Sequence, residues 1–250
     1  MESAETFVFQ YLSPSMQQFF IPLEPNLHVK APATIPYFLQ EQIRELIIDG
    51  TFRPGQPLRE QELEQRFGTS RSPIREALRL LELTGLVVHM QRKGFRVRRY
   101  AEAEIRQIYA LRAELAAYGL RQLDGMICGE LLHELRACDR DMARAHAGQD
   151  VRGYAAFLRA FYLTGVRYAR NTPLEDTLAR LYEQVEPMRY LFLRHALAHL
   201  AYDTFHGEVL RALEAGDALR AADAARAHVL DHLPGIVRAY DEAAAETAVL

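Results

Sequence analysis

The chain has 250 residues, a formal net charge of −3 and 49% hydrophobic residues. This composition predicts a folded protein with two modest cores and excludes a disordered chain. No run of about 18 apolar residues is present, so we expect no membrane-spanning helix. Cys128 and Cys138 have neither a metal-site spacing nor that of a secreted disulfide framework, which favours reduced thiols in a cytoplasmic protein.

Residues 1–33 form an N-terminal extension to which the sequence assigns no function. The extension contains proline and several aromatic side chains, as in FVFQYLSPSMQQFFIPLEP. Because disordered tails are usually poor in aromatic residues, we expect this segment to dock onto the folded body. A first helix is predicted after it, from about Ile35 to Asp49, with Gly50 ending it.

Residues 50–97 follow the order of a winged helix-turn-helix. A short acidic helix precedes a tight turn at Gly68, a second helix begins near its N-cap Ser70, and two short strands, Leu86–Met90 and Phe95–Arg99, enclose a basic tip. The tip is Gln91-Arg92-Lys93-Gly94, in which the glycine permits a tight turn and a close approach to a partner. The pattern predicts a cationic wing.

The second helix of this unit has two distinct faces. Ile74, Leu78 and Leu81 recur at helical spacing on one face. Three arginines, at positions 71, 75 and 79, recur every fourth residue on another face. A solvated charge stripe is the alternative interpretation, but the turn, helix and wing occur in order, so we predict that this helix reads double-stranded DNA.

These residues resemble the GntR family of bacterial transcription regulators. The family pattern is matched by Gly50, Pro54-Gly55, Leu58, Ser70-Arg71-Ser72-Pro73-Ile74-Arg75-Glu76-Ala77-Leu78, Leu81, Gly85-Leu86 and Gly94. The resemblance implies that Ser70, Arg71, Ser72 and Arg75 contact bases and phosphates and that Gly94 enters the minor groove. Where some members carry a DNA-contacting arginine in the preceding helix, this chain has Gln61, with Arg59 two residues earlier. Arg92 and Lys93 complete the predicted DNA-binding set.

Charge is distributed unevenly between the two predicted domains. Residues 34–100, the predicted DNA-binding domain, hold 12 Arg and Lys against 8 Asp and Glu. Residues 101–250 hold 17 against 22. The basic surplus therefore lies where DNA would bind.

From about Tyr100 the pattern becomes helical throughout, which predicts an antiparallel bundle over residues 101–245 and a mainly α protein. The breaks between helices are predicted at Gly148, Asn171–Pro173 and Gly216-Asp217. The predicted packing stripe of the first bundle helix is Ile105, Ile108, Leu111, Leu115 and Tyr118. Phe205, Val209 and Leu213 mark a later one.

This half resembles the FCD-type effector domain of the FadR-like branch of the GntR family. The resemblance rests on Arg112, Asp150, Phe161-Tyr162, Asn171-x-Pro173 and the string from His206 through Gly216-Asp217 to His228. Metal-binding members use an Asp and a His four residues apart and two further histidines. Here the later histidines are present as His206 and His228, but Leu158 and Tyr162 occupy the first two positions.

Two histidines alone hold a divalent cation poorly, so we predict no metal or other cofactor. A site at His206 and His228 completed by His195, His199 or His232 is the disfavoured alternative. Loss of the metal indicates either a larger apolar ligand, such as an acyl compound, or a carboxylate held by arginine. Arg112, Arg189 and Arg194 are the candidate arginines, and Tyr154, Phe161, Tyr162 and Tyr190 are candidate aromatic walls.

We therefore predict a DNA-binding transcription regulator, a repressor in the first instance, that dimerises through its helical half and senses a small metabolite. The predicted effector-binding residues are Arg112, Tyr162, Arg189, His206 and His228. One alternative is a metal-dependent hydrolase built on the histidines, but His195-Ala-Leu-Ala-His199 lacks the glutamate that would act as general base. A second is a constitutive DNA-binding protein without effector. The effector, the operator sequence and the sign of regulation stay open.

Overall fold

The computed structural model describes residues 35–245, and the protein is mainly α-helical over this range, as predicted. The N-terminal extension, with its expected docking, lies outside the described residues. The first elements are those of a winged helix-turn-helix: α1 (Ile35–Ile48), β1 (Pro57–Leu58), α2 (Glu60–Phe67), α3 (Arg71–Leu83), β2 (Val87–Met90) and β3 (Gly94–Val97).

Helices α1 and α3 pack through their apolar faces. Ile43 of α1 and Ile74 and Leu78 of α3 are fully buried in one cluster. Gly68 ends α2 in the left-handed region at φ 62°, which a glycine adopts without steric cost. Ser70 occupies the N-cap position of α3, but its side chain makes no capping hydrogen bond, which corrects the predicted capping role. Ser70 is exposed.

The wing is a hairpin in a three-stranded antiparallel sheet of order β1-β3-β2. Phe95 pairs with Leu58 on one side and His89 on the other, and buries its ring. Strand β1 was absent from the prediction, and β3 begins at Gly94 rather than at Phe95. Gly94 has a φ of 74°, and the Lys93 amide donates to the Met90 carbonyl across the turn at 3.0 Å.

The helical half follows directly. Its elements are α4 (Glu102–Arg121), α5 (Gly129–Ala147), α6 (Val151–Tyr168), α7 (Thr172–Ala196), a 3-10 turn (Leu197–His199), α8 (Gly207–Glu214), α9 (Ala218–Asp231) and α10 (Leu233–Ala245). The predicted breaks are confirmed, since Gly148 caps α5, Asn171 accepts from the Leu174 amide at the start of α7, and Gly216 lies between α8 and α9. Phe205 lies in the turn before α8 rather than within a helix.

The buried face of α4 differs from the predicted stripe. Ile105 is buried, but Leu111 and Tyr118 are 50% and 44% exposed. The helix instead buries a neighbouring face that includes Tyr109, Ala113, Ala116 and Leu120, and α9 packs against it. Because α4 carries apolar residues on two faces, hydrophobic periodicity alone could not tell which one is internal. Leu111 and Tyr118 therefore form an apolar stripe on the surface of α4.

The junction between the winged unit and the helical half is hydrogen-bonded and packed. The Tyr240 hydroxyl accepts from the Tyr100 amide at 3.1 Å and donates to the Arg98 carbonyl at 3.3 Å. Tyr100 in turn donates to the Gly85 carbonyl at 3.2 Å. The boundary at residue 100 between the two domains stays a prediction. No helix within residues 35–245 is long and apolar enough to cross a membrane.

We expect Leu78→Ala to destabilise the winged unit by about 2–5 kcal/mol, because it removes a side chain with no solvent exposure and leaves a cavity. Denaturant unfolding followed by circular dichroism measures this loss. Leu83→Ala on the same helix is the matched control, since Leu83 is 84% exposed and its loss should stay within about 0.5 kcal/mol. Equal effects in the two variants would contradict the observed orientation of α3.

Candidate functional site

The predicted DNA-binding residues all lie on the surface. Arg59 and Gln61 are exposed at the start of α2, and three consecutive residues of the set open α3. The exposed set is Arg59, Gln61, Ser70, Arg71, Ser72, Arg75, Arg92, Lys93 and Gly94. Their exposure leaves them accessible to a duplex.

The two arginines of the recognition helix α3 are oriented by carboxylates of α2. Arg71 Nε lies 2.9 Å from Glu64 Oε1, and Arg75 Nε lies 2.9 Å from Glu60 Oε1. The arginine side chains are 61% and 55% exposed, whereas the glutamates are largely covered. The hydrogen bond to Glu64 raises the pKa of Arg71, so the guanidinium stays charged. Such surface pairs are weak, which allows a phosphate or guanine to replace the glutamate.

The wing presents its tip without obstruction. A side chain built on Gly94 would meet no atom of the described chain within 4 Å. Arg92 adopts a left-handed φ of 62°, and both Arg92 and Lys93 are exposed beside the glycine. The geometry fits a tip whose backbone approaches a groove while flanking cations face phosphates.

A small cavity of about 20 Å³, room for about one water molecule, lies inside the helical half. Four of the five predicted effector-binding residues line it, namely Arg112, Tyr162, Arg189 and His228. Its other lining residues are Tyr109, Leu158, Tyr182, Phe192, Leu193, Phe205, Val229, His232 and Ile236. The wall therefore combines two guanidinium groups with aromatic rings.

Arg112 is a buried cation that lacks a carboxylate partner in the described chain. It is 6% exposed, and its Nε and Nη1 atoms have no hydrogen-bond partner within residues 35–245. Its guanidinium carbon lies 4.9 Å from the ring centre of Tyr109 and 5.1 Å from that of Tyr182. Aromatic faces compensate a buried positive charge only in part. An anion in the cavity would supply the missing hydrogen-bond acceptors.

Arg189 is only partly compensated. Its Nη2 atom donates to both oxygens of Glu186 at 3.0 Å and to the Ala155 carbonyl at 2.7 Å. Its buried Nε atom has no partner among the residues that the structure describes. Burial lowers the pKa of Arg189, but Glu186, Tyr182 and Tyr109 together raise it above its ordinary value, so the group stays charged. Arg189 therefore retains an N–H group for a ligand.

Tyr162 and His228 form a bonded pair in the wall. The Tyr162 hydroxyl donates to the Phe205 carbonyl at 2.6 Å and lies 3.0 Å from His228 Nε2. That hydroxyl proton is therefore already engaged. Burial, reinforced by the positive charge of Arg112, lowers the pKa of His228 to about 3, so the imidazole is neutral.

Other predicted ligand residues lie elsewhere. His206 does not line the cavity: its Nε2 atom lies 2.8 Å from Asp139 Oδ1, and its ring packs edge-on to Phe161. Burial lowers the pKa of His206, although Asp139 opposes the shift. The exposed side chains of Arg194, His195 and His199 also lie outside the cavity. Tyr190 lines a different cavity, at the junction with the winged unit, and neither Tyr154 nor Phe161 reaches the wall.

The residues at the family's metal position do not fit a divalent cation. Leu158 and Tyr162 line the cavity where metal-binding members carry Asp and His, and neither is a ligand at neutral pH. No group of three or more His, Cys, Asp or Glu side chains in residues 35–245 could hold a metal ion. The charge of Arg112 beside His228 would also repel a cation.

Sequence reasoning missed several wall residues. Tyr109 lies three residues before Arg112 on the same helical face, which was a usable signal. Its buried hydroxyl has no hydrogen-bond partner in the described chain, and burial raises its pKa to about 12, so it stays a donor. Tyr182 and Phe205 come from α7 and from the turn before α8, and only tertiary packing brings them together.

Comparison with known proteins identifies both halves of the chain. A family model described as bacterial regulatory proteins, gntR family, matches residues 38–97, and an FCD domain model matches residues 107–231. The chain is 31% identical over 204 residues to the "Probable D-xylose utilization operon transcriptional repressor" of Paenarthrobacter nicotinovorans, covering 77% of this chain and 86% of that relative. It is 28% identical over 208 residues to the "HTH-type transcriptional repressor GlaR" of Escherichia coli K12, covering 77% and 91%.

A solved structure shows the same fold. A GntR transcriptional regulator from Rhodococcus sp. RHA1 superposes with a TM-score of 0.68 at 23% identity, covering 81% of this chain and 97% of that one. The relatives are transcription regulators rather than enzymes. With an FCD match over half of its length and a 31% identical relative over 77% of it, the chain belongs to the GntR family of bacterial transcription regulators.

Proposed function

We propose that this protein is a dimeric, DNA-binding repressor that responds to a small anionic metabolite. The observation that carries the proposal is the buried guanidinium of Arg112 in the cavity wall, which has no carboxylate partner within residues 35–245. Membership of the family supports operator binding, and the repressor names of two relatives support the sign of regulation. The proposal divides the chain into a DNA-binding domain at 34–100 and an effector and dimerisation domain at 101–245.

The DNA interface of this proposal consists of α2, α3 and the wing. Arg71 and Arg75 would read base edges or phosphates from α3, while Arg92, Lys93 and Gly94 would contact the minor groove and its phosphates. Arg59 and Gln61 would contact the backbone from the start of α2. The exposure of all these side chains supports the assignment.

We expect Arg71→Ala and Arg75→Ala each to weaken binding to the selected operator by about 1–3 kcal/mol, the range for a lost bidentate contact. The operator is first isolated from a random duplex pool with wild-type protein, and affinity is then measured by fluorescence anisotropy at fixed salt. Arg121→Ala, an exposed arginine on α4, is the matched control and should bind like wild type. Normal affinity in both α3 variants would remove this helix from the interface.

The effector in this proposal carries a carboxylate or a similar anion. Arg112, Tyr109 and Arg189 together offer buried N–H and O–H groups that lack acceptors in the described chain. Buried donors without acceptors are costly, so an anion that supplies acceptors gains affinity from each of them. The cavity must open to admit such a ligand, and Phe192 and Phe205 in its wall would then cover the apolar part. An acyl compound with an anionic head group requires a still larger opening.

We expect Arg112→Met to leave the free protein as stable as wild type or to stabilise it by about 1–4 kcal/mol, because it removes a buried charge that has no carboxylate partner among the described residues. The variant should at the same time lose the thermal stabilisation that small carboxylates give to wild type. Denaturant unfolding and melting with a panel of mono-, di- and tricarboxylates provide both measurements. Arg121→Met on the same helix controls for the substitution itself, and a loss above about 2 kcal/mol in Arg112→Met would show that its charge is already compensated.

We also expect the protein as purified to contain well under one metal ion per chain and a chelator to leave its melting temperature unchanged, because no metal-binding free energy supports the fold. Elemental analysis and melting with and without chelator test this. Stoichiometric zinc or nickel, lost together with stability in His206→Ala, would contradict it and indicate His195, His199 or His232 as replacement ligands.

The proposed homodimer forms through the helical half, where α4 presents its exposed apolar stripe. Leu111 and Tyr118 lie on this stripe with the half-buried Leu115 between them. Paired operator half-sites need a two-fold protein, and an apolar helix face can serve both subunits at once. A second copy of the chain is therefore the proposed occupant.

We expect Leu111→Glu to convert the full-length protein to monomer at micromolar concentration, because it places a charge within the apolar contact. Sedimentation velocity measures the change. Leu83→Glu is the control, since Leu83 is also exposed but lies at the end of α3 in the winged unit. A wild-type protein that is monomeric at micromolar concentration, or a dimeric Leu111→Glu variant, would contradict this assignment.

A further inference from the structure

Helix α7 forms a wall shared by the effector cavity and the winged unit. Tyr182, Arg189 and Phe192 line the cavity. Gln184 and Leu191, on another side of the same helix, line a second cavity together with residues of α1, the wing and the connection to α4. A displacement of α7 therefore changes the walls of both cavities.

Ion pairs tie α7 to the first helix of the winged unit. Glu183 accepts from Arg44 Nε of α1 at 2.9 Å and from Arg159 of α6 at 2.6 Å. All three side chains are at least three-quarters covered. Glu186, one turn later, lies with Arg44 and Arg159 along an open cavity between α1, α6 and α7.

Glu186 has one direct partner in the described chain. Both of its oxygens accept from Arg189 Nη2 at 3.0 Å, and both residues are buried. The Nε atom of Arg189, which has no partner among the described residues, belongs to the same guanidinium, and Arg189 lines the effector cavity. The cation that neutralises Glu186 is thus also one that an anionic effector would bind.

The proline at position 187 weakens helix α7 between Glu186 and Arg189. Pro187 lies inside α7 and has no amide hydrogen, so it cannot donate to the Glu183 carbonyl as a helical residue would. Helices bend most readily at such positions. The turn that carries Glu183 and Glu186 can therefore shift without unfolding the rest of α7.

We propose that Glu186 is the residue that couples the effector cavity to the DNA-binding half. An anion that recruits Arg189 takes away the partner of the Glu186 carboxylate, and Arg44, which lines the same open cavity and whose pKa is raised in part by the charge of Glu186, becomes its alternative partner at the junction. Attraction of Arg44 to Glu186 competes with the hydrogen bond between Arg44 and Glu183. The movement of Arg44 shifts α1, against which α3 packs. The coupling rests on the function proposed above, and it requires that the two arrangements differ in their affinity for the anion.

The experiment removes Arg189 by mutation, so that no effector needs to be known. Full-length wild type, Arg189→Met, Glu186→Gln and the double variant are compared for affinity to the duplex selected by wild type. Arg189→Met should weaken binding about 5- to 150-fold, the usual range of allosteric coupling, because Glu186 is then unpaired. Glu186→Gln and the double variant should bind within about threefold of wild type, an energy difference below that range.

Arg136→Met is the matched control, because it leaves Glu214 without its 2.8 Å partner at a site away from the junction. Its DNA affinity should match wild type. If Arg189→Met fails to fold, Arg189→Gln replaces it in the same comparison. Unchanged or tighter binding by the single variant, or an equal loss in single and double variants, overturns the proposal.

Hydrogen exchange separates this proposal from the proposed function. The amides of α1 should exchange differently in Arg189→Met and return to the wild-type pattern in the double variant, whether or not DNA is present. Wild-type protein that selects no duplex would refute the proposed function, yet the exchange comparison would still report on the coupling. Identical α1 exchange in all four proteins overturns the coupling itself.

Discussion

A guanidinium group removed from water needs acceptors, and two such groups share the wall of one cavity here. Glu186 compensates Arg189, whereas Arg112 rests against aromatic rings without a carboxylate in the described chain. This excess of buried positive charge explains several features together. It helps to keep His228 neutral, it opposes a cation at the family's metal position, and it favours an anion as ligand.

The need of a buried guanidinium for hydrogen-bond acceptors also explains why α7 is central to the fold. Helix α7 places Arg189 in the cavity wall, at the level where α6 and α4 meet the cavity. The helix also carries Glu183, whose bond to Arg44 ties the winged unit to the helical half. Charges that stabilise the junction and charges that would bind a ligand are therefore separated by less than two helical turns.

Local sequence signals predicted the winged unit well, because its turns, caps and faces depend on neighbouring residues. Gly68 and Gly94 adopt the left-handed conformations expected of them, and Ile74 and Leu78 are buried as predicted. The helical half was predictable in type but not in detail. Its α4 carries two apolar faces, and burial of one is decided by α9 rather than by α4 itself. His206 illustrates the same limit. Its ring is bonded to Asp139, which lies far away in the sequence on α5, and does not line the cavity.

The recognition helix is subject to a related balance of charge. Arg71 and Arg75 are already bonded to Glu64 and Glu60, so in the proposed interface contact with DNA would exchange carboxylates for phosphates or bases. Each exchange brings an acidic side chain close to the duplex, which opposes binding to sequences that offer phosphate contacts alone. A guanine that accepts two hydrogen bonds from one arginine can offset that repulsion. The glutamates of α2 would therefore raise the ratio of specific to non-specific affinity, while reducing the affinity for DNA in general.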